Sequence, residues 1–282
     1  MQGKVDLDWD DAGVVPERVY PDTTFIFTRM AEATWEMVDL GEGGRVLDIG
    51  CGRAVDALEL ARRGGKAVGL DPSGKMIREA QRYISDGEVA LVRGVGEALP
   101  FKRHSLDKVM CKGALDHFVD AARTMEEMSQ VLKPEGAAII AIANFESLSC
   151  RLGRLWYPIA KRFNRAKDER TPWEIPPDHT CKFDYRLLRR LADRHFQVKE
   201  TIGISLLWTA PYWGKTLALL PRGVSATILA LLDRIARRFP SLSDVIIINC
   251  TPKGITMKNG GPATQSVCPT CGTKMFKIQK HI

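Results

Sequence analysis

The chain of 282 residues carries 41 lysines and arginines against 34 acidic residues, a net charge of +7, and 45% of its residues are hydrophobic. A chain of this length and composition can bury a full core, which excludes a disordered or fibrous protein and leaves one large domain or two small ones. No apolar stretch of about 18 residues is free of charge or proline, and the first residues are polar and acidic, so we expect a cytoplasmic protein with reduced cysteines.

Short apolar runs alternate with amphipathic stretches between residues 45 and 144, which is typical of strand–helix–strand units on a parallel sheet. The intervening segments AVDALELARR, SGKMIREAQRYI and FVDAARTMEEMSQVL carry apolar residues at helical spacing, and the turn KPEG follows the third. The pattern therefore predicts an α/β fold with a doubly wound sheet. The predicted strands are 45–50, 66–71, 88–93, 106–111 and 137–143.

After residue 144 the alternation ends. A basic amphipathic helix is predicted over 146–170, and the proline-rich loop TPWEIPPDHT and a helix over 184–195 follow it. Two more strands are predicted in FQVKETIGISLLW and DVIIINCTP, with a helical segment between them that is broken at Pro-Arg-Gly. We expect one domain over 45–257 that contains helical cap insertions, with a flanking segment on each side of it. These are the cap insertions at about 145–182 and 209–242, an arm and helix over 1–44 that covers the site, and a flexible tail over 258–282.

The segment DIGCGRA lies between the first predicted strand and the helix after it. A glycine turn at this place lets a ligand approach bare backbone, and the helix N-terminus offers unpaired N–H groups. The dinucleotide fingerprint needs a third glycine where this chain has Val55, and the Gly-Lys-Ser/Thr of a triphosphate loop is missing. Asp48 precedes the turn, and Asp71 closes the second strand, where an acid can accept both hydroxyls of a ribose.

Together with VGLDPSGKMIREAQ, GEALPF and LKPEGAAIIAIAN, the segment DIGCGRA resembles the motifs of class I S-adenosylmethionine-dependent methyltransferases, in particular the small-molecule type 11, ubiquinone–menaquinone methylase-like members. The resemblance covers residues 45–144 and extends through DHTCKFDYRLLRRLADRHFQV to about residue 203. It implies a Rossmann-like sheet of seven strands, the last antiparallel, with S-adenosylmethionine as co-substrate. This chain departs from the family in having Ala54 at the third glycine and Val95 where an acid is often found.

The resemblance also implies which residues bind the cofactor. The first acid and the glycine turn would hold its methionine end, the acid of the second strand its ribose, and the loop after the third strand its adenine. The implied cofactor-binding residues are Asp48, Gly50, Cys51, Gly52, Asp71, Pro72, Glu97 and Ala98.

A carbon or hydroxyl acceptor must lose a proton on methylation. The segment CKGALDHF places Asp116 and His117 where this family keeps its substrate face, and we favour His117 as the base, with His179 of the proline-rich loop as a second candidate. The structural alternatives are that Asp116 and His117 cap or pack the following helix and that His179 is a solvated loop residue. Cys111, within the apolar DKVMC, is expected to be a core residue rather than a nucleophile.

The acceptor is expected to be a small hydrophobic molecule, lipid-like or quinone-like, that is methylated at oxygen or carbon. No Asn-Pro-Pro-Tyr-like tetrad follows the fourth strand, and no paired glutamates resemble the protein arginine enzymes. Leucine, isoleucine and tryptophan alternate with cations in ISLLWTAPYWGKTLALLP and ATILALLDRIARRF. We expect these helices to pack into the core, with peripheral contact to an anionic membrane as the alternative. Two other functions stay open: an RNA methyltransferase or nucleic-acid-binding module that uses the basic segment 151–170, and a non-catalytic protein that binds the cofactor.

The tail segment CPTCG places Cys268 and Cys271 on one tight turn, the geometry of half a zinc ribbon. A closed zinc site needs four ligands, and no second Cys-x-x-Cys exists, so His281, Cys250 or another subunit would have to complete it. The alternatives are a redox pair and an inert, mobile tail.

Overall fold

The computed structural model describes residues 5–11, 18–85, 87–162, 171, 173–177 and 179–253. One mixed sheet is flanked by helices on both faces. The strands are β1 (Arg45–Ile49), β2 (Lys66–Asp71), β3 (Ala90–Arg93), β4 (Leu106–Lys112), β5 (Leu132–Ala143), β6 (Phe196–Ile204) and β7 (Val245–Pro252). The helices are α1 (Pro21–Val38), α2 (Val55–Arg62), α3 (Gly74–Gln81), α4 (Ala121–Val131), α5 (Leu148–Arg162), α6 (Tyr185–His195), α7 (Trp213–Ala218) and α8 (Arg222–Arg238).

The seven strands are ordered β3-β2-β1-β4-β5-β7-β6. Strands β1 to β5 pair in parallel, whereas β7 is antiparallel to both β5 and β6. The chain reverses direction across the sheet at β1, where β2 lies on one side and β4 on the other. The predicted seven-stranded, doubly wound sheet with an antiparallel last strand is confirmed.

The apolar runs form strands because they are buried on both faces of the sheet, as parallel strands are. In β1, Leu47 and Ile49 face a core that is closed by α4 and α6, while Val46 faces a second core closed by α1, α2 and α3. This alternation follows the period of two along a strand. Cys111 lies in the first core with no solvent exposure, which confirms the expectation that it is a core residue.

Three of the predicted helices begin at side chains that accept a hydrogen bond from the first turn. Ser73 accepts from the amide of Met76 in α3, Asp120 from that of Arg123 in α4, and Asp184 from the main chain of α6. Such caps satisfy an amide that has no partner within the helix. Because Asp120 caps α4, the alternative that Asp116 is the N-cap of this helix is wrong.

The predicted turn KPEG lies inside β5. The pairing with β4 passes from Leu106↔Leu132 to Lys108↔Ala137, so β5 advances five residues while β4 advances two. The extra residues bulge from the ladder, and the strand resumes at the predicted position. The basic helix is described to Arg162, and the rest of its predicted range, 163–170, lies outside the described residues.

The carboxyl edge of the sheet gathers the loops that matter for function. Parallel strands end at the same edge, and ligands of open α/β sheets bind there, beside the point where the strand order reverses. The turns after β1, β2 and β4 lie at this edge, and α5 and α7 follow β5 and β6 from it. Among the described residues, no helix is long and apolar enough to cross a bilayer.

The helices of the cap bury some of their apolar residues and expose others. In α5, Leu155 and Trp156 are 70% and 62% exposed. In α8, Leu229 is buried but Leu231 and Ile235 are about half exposed. Pro221 separates α7 from α8, as the Pro-Arg-Gly break predicted.

Candidate active site

A cavity of about 960 Å³ opens at the carboxyl edge of the sheet. It is lined by residues of the turns after β1, β2, β3 and β4, of the N-terminal arm and of the proline-rich loop. The predicted site residues that line it are Gly50, Asp71, Pro72, Glu97, His117 and His179.

The turn after β1 brings its backbone close to the next loop. The amides of Gly50 and Cys51 donate to the carbonyl of Leu70 at 2.8 and 3.1 Å. Gly50 has φ +71°, and a Cβ at this position would lie 2.3 Å from the Cβ of Ala114. Only glycine therefore combines this left-handed conformation with so close an approach. Ala54 also has a positive φ, +56°, so alanine adopts here the conformation for which the family has glycine.

Asp71 ends β2 at the rim of the cavity and is 4% exposed. Its carboxylate accepts the amides of Gly52 and Ser73, each at 2.8 Å. Burial raises the pKa of Asp71, and these two hydrogen bonds act in the opposite direction. Since a carboxylate has about four acceptor sites, Asp71 keeps acceptor capacity for a diol after binding both amides.

Asp48 is buried but does not line the cavity. Among the described residues, its Oδ2 has no hydrogen-bond partner. Burial raises the pKa of Asp48 well above its ordinary value, and the nearby Asp56 raises it further while Lys112 lowers it. The structure thus places Asp48 beneath the glycine turn, next to the ion pair of Asp56 and Lys112, whose atoms are 2.7 Å apart.

The predicted adenine side combines one acid with apolar walls. Glu97 lines the cavity, and its Oε1 accepts the amide of Asp120 at 3.2 Å. Val95, where the family often has an acid, lines the same wall with Phe118. Ala98 is not among the lining residues. A flat base would therefore meet aliphatic and aromatic surface here, with a single carboxylate at its edge.

Of the other two cofactor-binding candidates, neither lines the cavity. Gly52 acts through its amide, which holds the carboxylate of Asp71. The Cys51 side chain belongs to the second core, where burial raises the pKa of its thiol well above the ordinary value.

The three predicted catalytic residues lie together. Nε2 of His179 is 3.1 Å from Oδ2 of Asp116, and the rings of His117 and His179 are 4.2 Å apart between centroids. Asp116 is 3% exposed, and among the described residues its Oδ1 has no hydrogen-bond partner. The turn after β4 thereby meets the proline-rich loop, which is anchored by Thr180, whose amide and hydroxyl both donate to the carbonyl of Asp116.

The carboxylate and the two imidazoles of this cluster suit either proton transfer or the binding of a cation. A carboxylate bonded to an imidazole orients the ring and raises its basicity. The side-chain ligand atoms of Asp116, His117 and His179 also lie within 4.8 Å of one another, close enough for one divalent cation to contact them after small side-chain movements.

The N-terminal arm supplies lining residues that sequence reasoning did not single out. Residues 5–9 line the cavity, and the ring of Trp9 meets that of His117 edge to face at 5.6 Å. The Trp9 carbonyl accepts the hydroxyl of Ser73 at 2.7 Å, and Lys75 pairs with Asp10 at 2.7 Å. The sequence feature that could have indicated these lining residues is the single tryptophan among acids in DLDWDD.

The predicted zinc ligands Cys268 and Cys271, and His281, lie outside the described residues. Cys250, the other residue suggested to complete the site, lies inside β7, and its thiol donates a hydrogen bond to the carbonyl of Ala138. Burial raises the pKa of Cys250 to about 12. Cys250 is therefore a buried thiol of the sheet, and its role as a further zinc ligand stays a prediction.

The strand order, the glycine turn after β1, the acid at the end of β2 and the cavity at the carboxyl edge are features of the class I S-adenosylmethionine-dependent methyltransferase fold. The donors present fit that co-substrate. Asp71 suits the ribose hydroxyls, and the wall of Val95 and Phe118 suits the adenine.

Comparison with known proteins supports the same class. Residues 47–140 match the family described as methyltransferase domain. The chain is 33% identical over 99 residues to an uncharacterized methyltransferase of Bacillus subtilis, which covers 34% of this chain and 39% of that protein. It is 35% identical over 108 residues to the demethylmenaquinone methyltransferase of Corynebacterium glutamicum, covering 38% and 45%. The matches therefore span less than half the length of these relatives.

A solved S-adenosylmethionine-dependent methyltransferase of Thermotoga maritima superposes with a TM-score of 0.52 at 20% identity, covering 82% of this chain and 90% of that one. At this identity the likeness concerns the fold. The resemblance to class I methyltransferases is therefore confirmed for the fold and for the domain match over residues 47–140.

Proposed function

We propose that this chain transfers the methyl group of S-adenosylmethionine to an oxygen or carbon of a small hydrophobic acceptor, lipid-like or quinone-like. The observation that carries this proposal is the placement of Asp116, His117 and His179 in the cavity region that also contains Gly50 and Asp71. A candidate base and a candidate cofactor cradle thus share one cavity. The demethylmenaquinone methyltransferase of Corynebacterium glutamicum supports the choice of acceptor class.

The bound co-substrate would supply an electrophilic methyl group on a sulfonium, so the protein has to align the acceptor and exclude water. In our proposal, Asp71 holds the ribose and the turn at Gly50 admits the methionine end. Residues 5–11 close over the cavity as a cover. The apolar walls of Val95 and Phe118 keep the site dry.

The acceptor oxygen or carbon would form its bond to the methyl group as the bond between that methyl and the sulfonium sulfur breaks, which leaves a neutral thioether, and the acceptor must lose a proton. Asp116, 3.1 Å from Nε2 of His179, favours the tautomer with the proton on Nε2, which makes Nδ1 the basic atom. In our proposal, Asp116 is a positioning residue and His179, with His117 beside it, accepts the proton. His117 and His179 line the same cavity as Asp71, which supports a proton acceptor beside the proposed cofactor cradle.

The test uses methyl-labelled S-adenosylmethionine with dispersed quinols and lipid extracts. We expect His179→Gln to lower kcat by about 10²–10³, because general base catalysis contributes about that much, and to leave the Kd of the co-substrate unchanged. Asp116→Asn should also lower kcat, because it removes the carboxylate that positions the ring of His179. Asp71→Ala should instead raise the Kd of the co-substrate.

His195→Gln is the matched control, since His195 ends α6 and is not among the residues lining the cavity. Loss of co-substrate binding as large as the loss of turnover in His179→Gln would contradict the base role. Activity that is abolished by a chelator and restored by a divalent cation would assign the cluster to a metal instead. Label in RNA alone would overturn the acceptor class, and binding without any turnover would favour the non-catalytic alternative.

A further inference from the structure

Among the described residues, nothing covers one apolar face of helix α5. Leu155 and Trp156 are 70% and 62% exposed, and Leu152 and Ile159 are exposed as well. These four residues, spaced i, i+3, i+4 and i+7, lie on one face of the helix. We call them the α5 stripe. An isolated exposed leucine is ordinary, but a tryptophan within a contiguous stripe marks an interaction surface.

The opposite face of α5 is packed, which fixes the direction of the stripe. Gly153 is buried against Trp173 so closely that a Cβ on it would lie 2.2 Å from that ring. Tyr157 meets the same ring edge to face at 5.7 Å. Ser149 and Cys150 are buried near the start of the helix. The α5 stripe is therefore a second apolar face, in addition to the one that holds the helix on the protein.

The charge around the α5 stripe is positive. The helix contains four basic residues and no acid. Arg151 and Arg162 are four and seven residues from Leu155, which puts them at one border of the stripe, and both are exposed. Glu146, before the helix, pairs with Arg154 and more distantly with Arg151. A partner that contacts the stripe also meets these cations.

The end of α8, which also combines exposed apolar residues with arginines, lies beside the start of α5. The amide of Leu148 donates to the carbonyl of Leu242, just beyond the end of α8. Helix α8 exposes Leu231 and Ile235 and ends in Arg237 and Arg238. Helix α5 follows β5 from the carboxyl edge, which also bears the cavity, and α8 leads into β7, which begins at the same edge.

We propose that the α5 stripe docks on the surface of a bilayer that contains anionic phospholipid. An interfacial helix needs an apolar face with an aromatic anchor and a cationic border, and α5 has all three. A nucleic acid would use the cations but would leave the leucines and isoleucine exposed. The consequence that the acceptor enters the cavity from the lipid rests on the proposed function, whereas the docking surface does not.

The experiment is sedimentation of the full chain with vesicles of equal parts phosphatidylglycerol and phosphatidylcholine, without co-substrate or acceptor. We expect the double variant Leu155→Ser, Trp156→Ser to lower the partition coefficient about tenfold or more. Arg151→Gln with Arg162→Gln should weaken binding to these vesicles, and high salt should do the same. Tyr83→Ser is the control, because Tyr83 is 45% exposed and follows α3, away from α5, and it should bind as the wild type does.

Equal binding of the wild type and the Leu155→Ser, Trp156→Ser variant would overturn the proposal, as would the absence of any vesicle binding. A dimer in solution that this variant loses would assign the stripe to a second copy of the chain. Binding to RNA that depends on the arginines alone would assign the surface to nucleic acid. Because sedimentation requires no turnover, vesicle binding with no methyl transfer would reject the proposed function and leave the docking surface standing.

Discussion

At the scale of single residues, Gly50 and Gly52 of the turn after β1 differ in how much space surrounds them. Gly50 and Gly52 both have a positive φ, +71° and +52°. A Cβ on Gly50 would lie 2.3 Å from the Cβ of Ala114, whereas one on Gly52 would meet nothing within 4 Å. The sequence motif treats the two positions alike, but the packing around them distinguishes them.

We predict that Gly50→Ala destabilises the protein by about 2–5 kcal/mol, since left-handed strain of about 1–2 kcal/mol adds to overpacking of about 1–3 kcal/mol. Gly52→Ala should cost about 1–2 kcal/mol from strain alone. Urea unfolding of both variants measures the difference. Adding Ala114→Gly to Gly50→Ala should recover the overpacking part. Equal losses for the two single variants would show that the contact with Ala114 carries no energy.

At the scale of elements, the N-terminal arm is held by side-chain and main-chain contacts and not by strand pairing. Trp9 touches the ring of His117, and its carbonyl accepts the hydroxyl of Ser73. The arm is outside the sheet, yet residues 5–9 line the cavity. Its contribution should therefore appear in ligand binding more than in the stability of the fold.

We predict that Trp9→Ala raises the Kd of S-adenosylmethionine about tenfold, a loss of about 1.4 kcal/mol, because the cover over the cavity loses its largest side chain. Titration calorimetry measures the Kd, and thermal unfolding without ligand should change little. Lys75→Met, which breaks the exposed pair with Asp10, is the matched control and should change the Kd by less than about fivefold. An unchanged Kd in Trp9→Ala would show that the arm does not contribute to binding of the co-substrate.

At the scale of the whole molecule, Asp244 joins three parts of the chain at the start of β7. Its carboxylate accepts the hydroxyl of Ser149 in α5 at 2.8 Å and the amide of Trp208 after β6 at 2.9 Å. Burial raises the pKa of Asp244 from 3.8 to about 6, against these hydrogen bonds. The folded protein therefore binds a proton at this residue between about pH 4 and 6 that the unfolded chain does not.

Because the pKa of Asp244 is raised on folding, the stability of the protein depends on pH. The raised pKa contributes stability that is fully present below about pH 4 and is lost as the pH rises through about 6, at most about 3 kcal/mol. The amide of an asparagine side chain would imitate the neutral acid, so we predict that Asp244→Asn gains stability relative to the wild type at pH 7.5 and that this gain fades towards pH 4. Urea unfolding of both proteins across this range measures it. A gap that does not change with pH would contradict the raised pKa.

The sequence by itself determined the strands, most of the helices and the class of fold. These features depend on local periodicity, on caps such as Asp120 and Asp184, and on the ordered motifs from residue 47 to 140. It also selected Asp116, His117 and His179 as separate candidates, without any signal that they meet. Contact between residues 116 and 179 depends on where the proline-rich loop returns to the edge of the sheet.

Only the tertiary structure decided which side chains reach the cavity. Asp48 and Cys51 belong to the same motif as Gly50, yet neither lines it. The α5 stripe shows the same limit, because its apolar spacing is that of a core helix and only the packing of Gly153 on Trp173 turns it outward. A sequence pattern specifies that a face is apolar; which surface covers that face is decided by contacts between residues far apart in the chain.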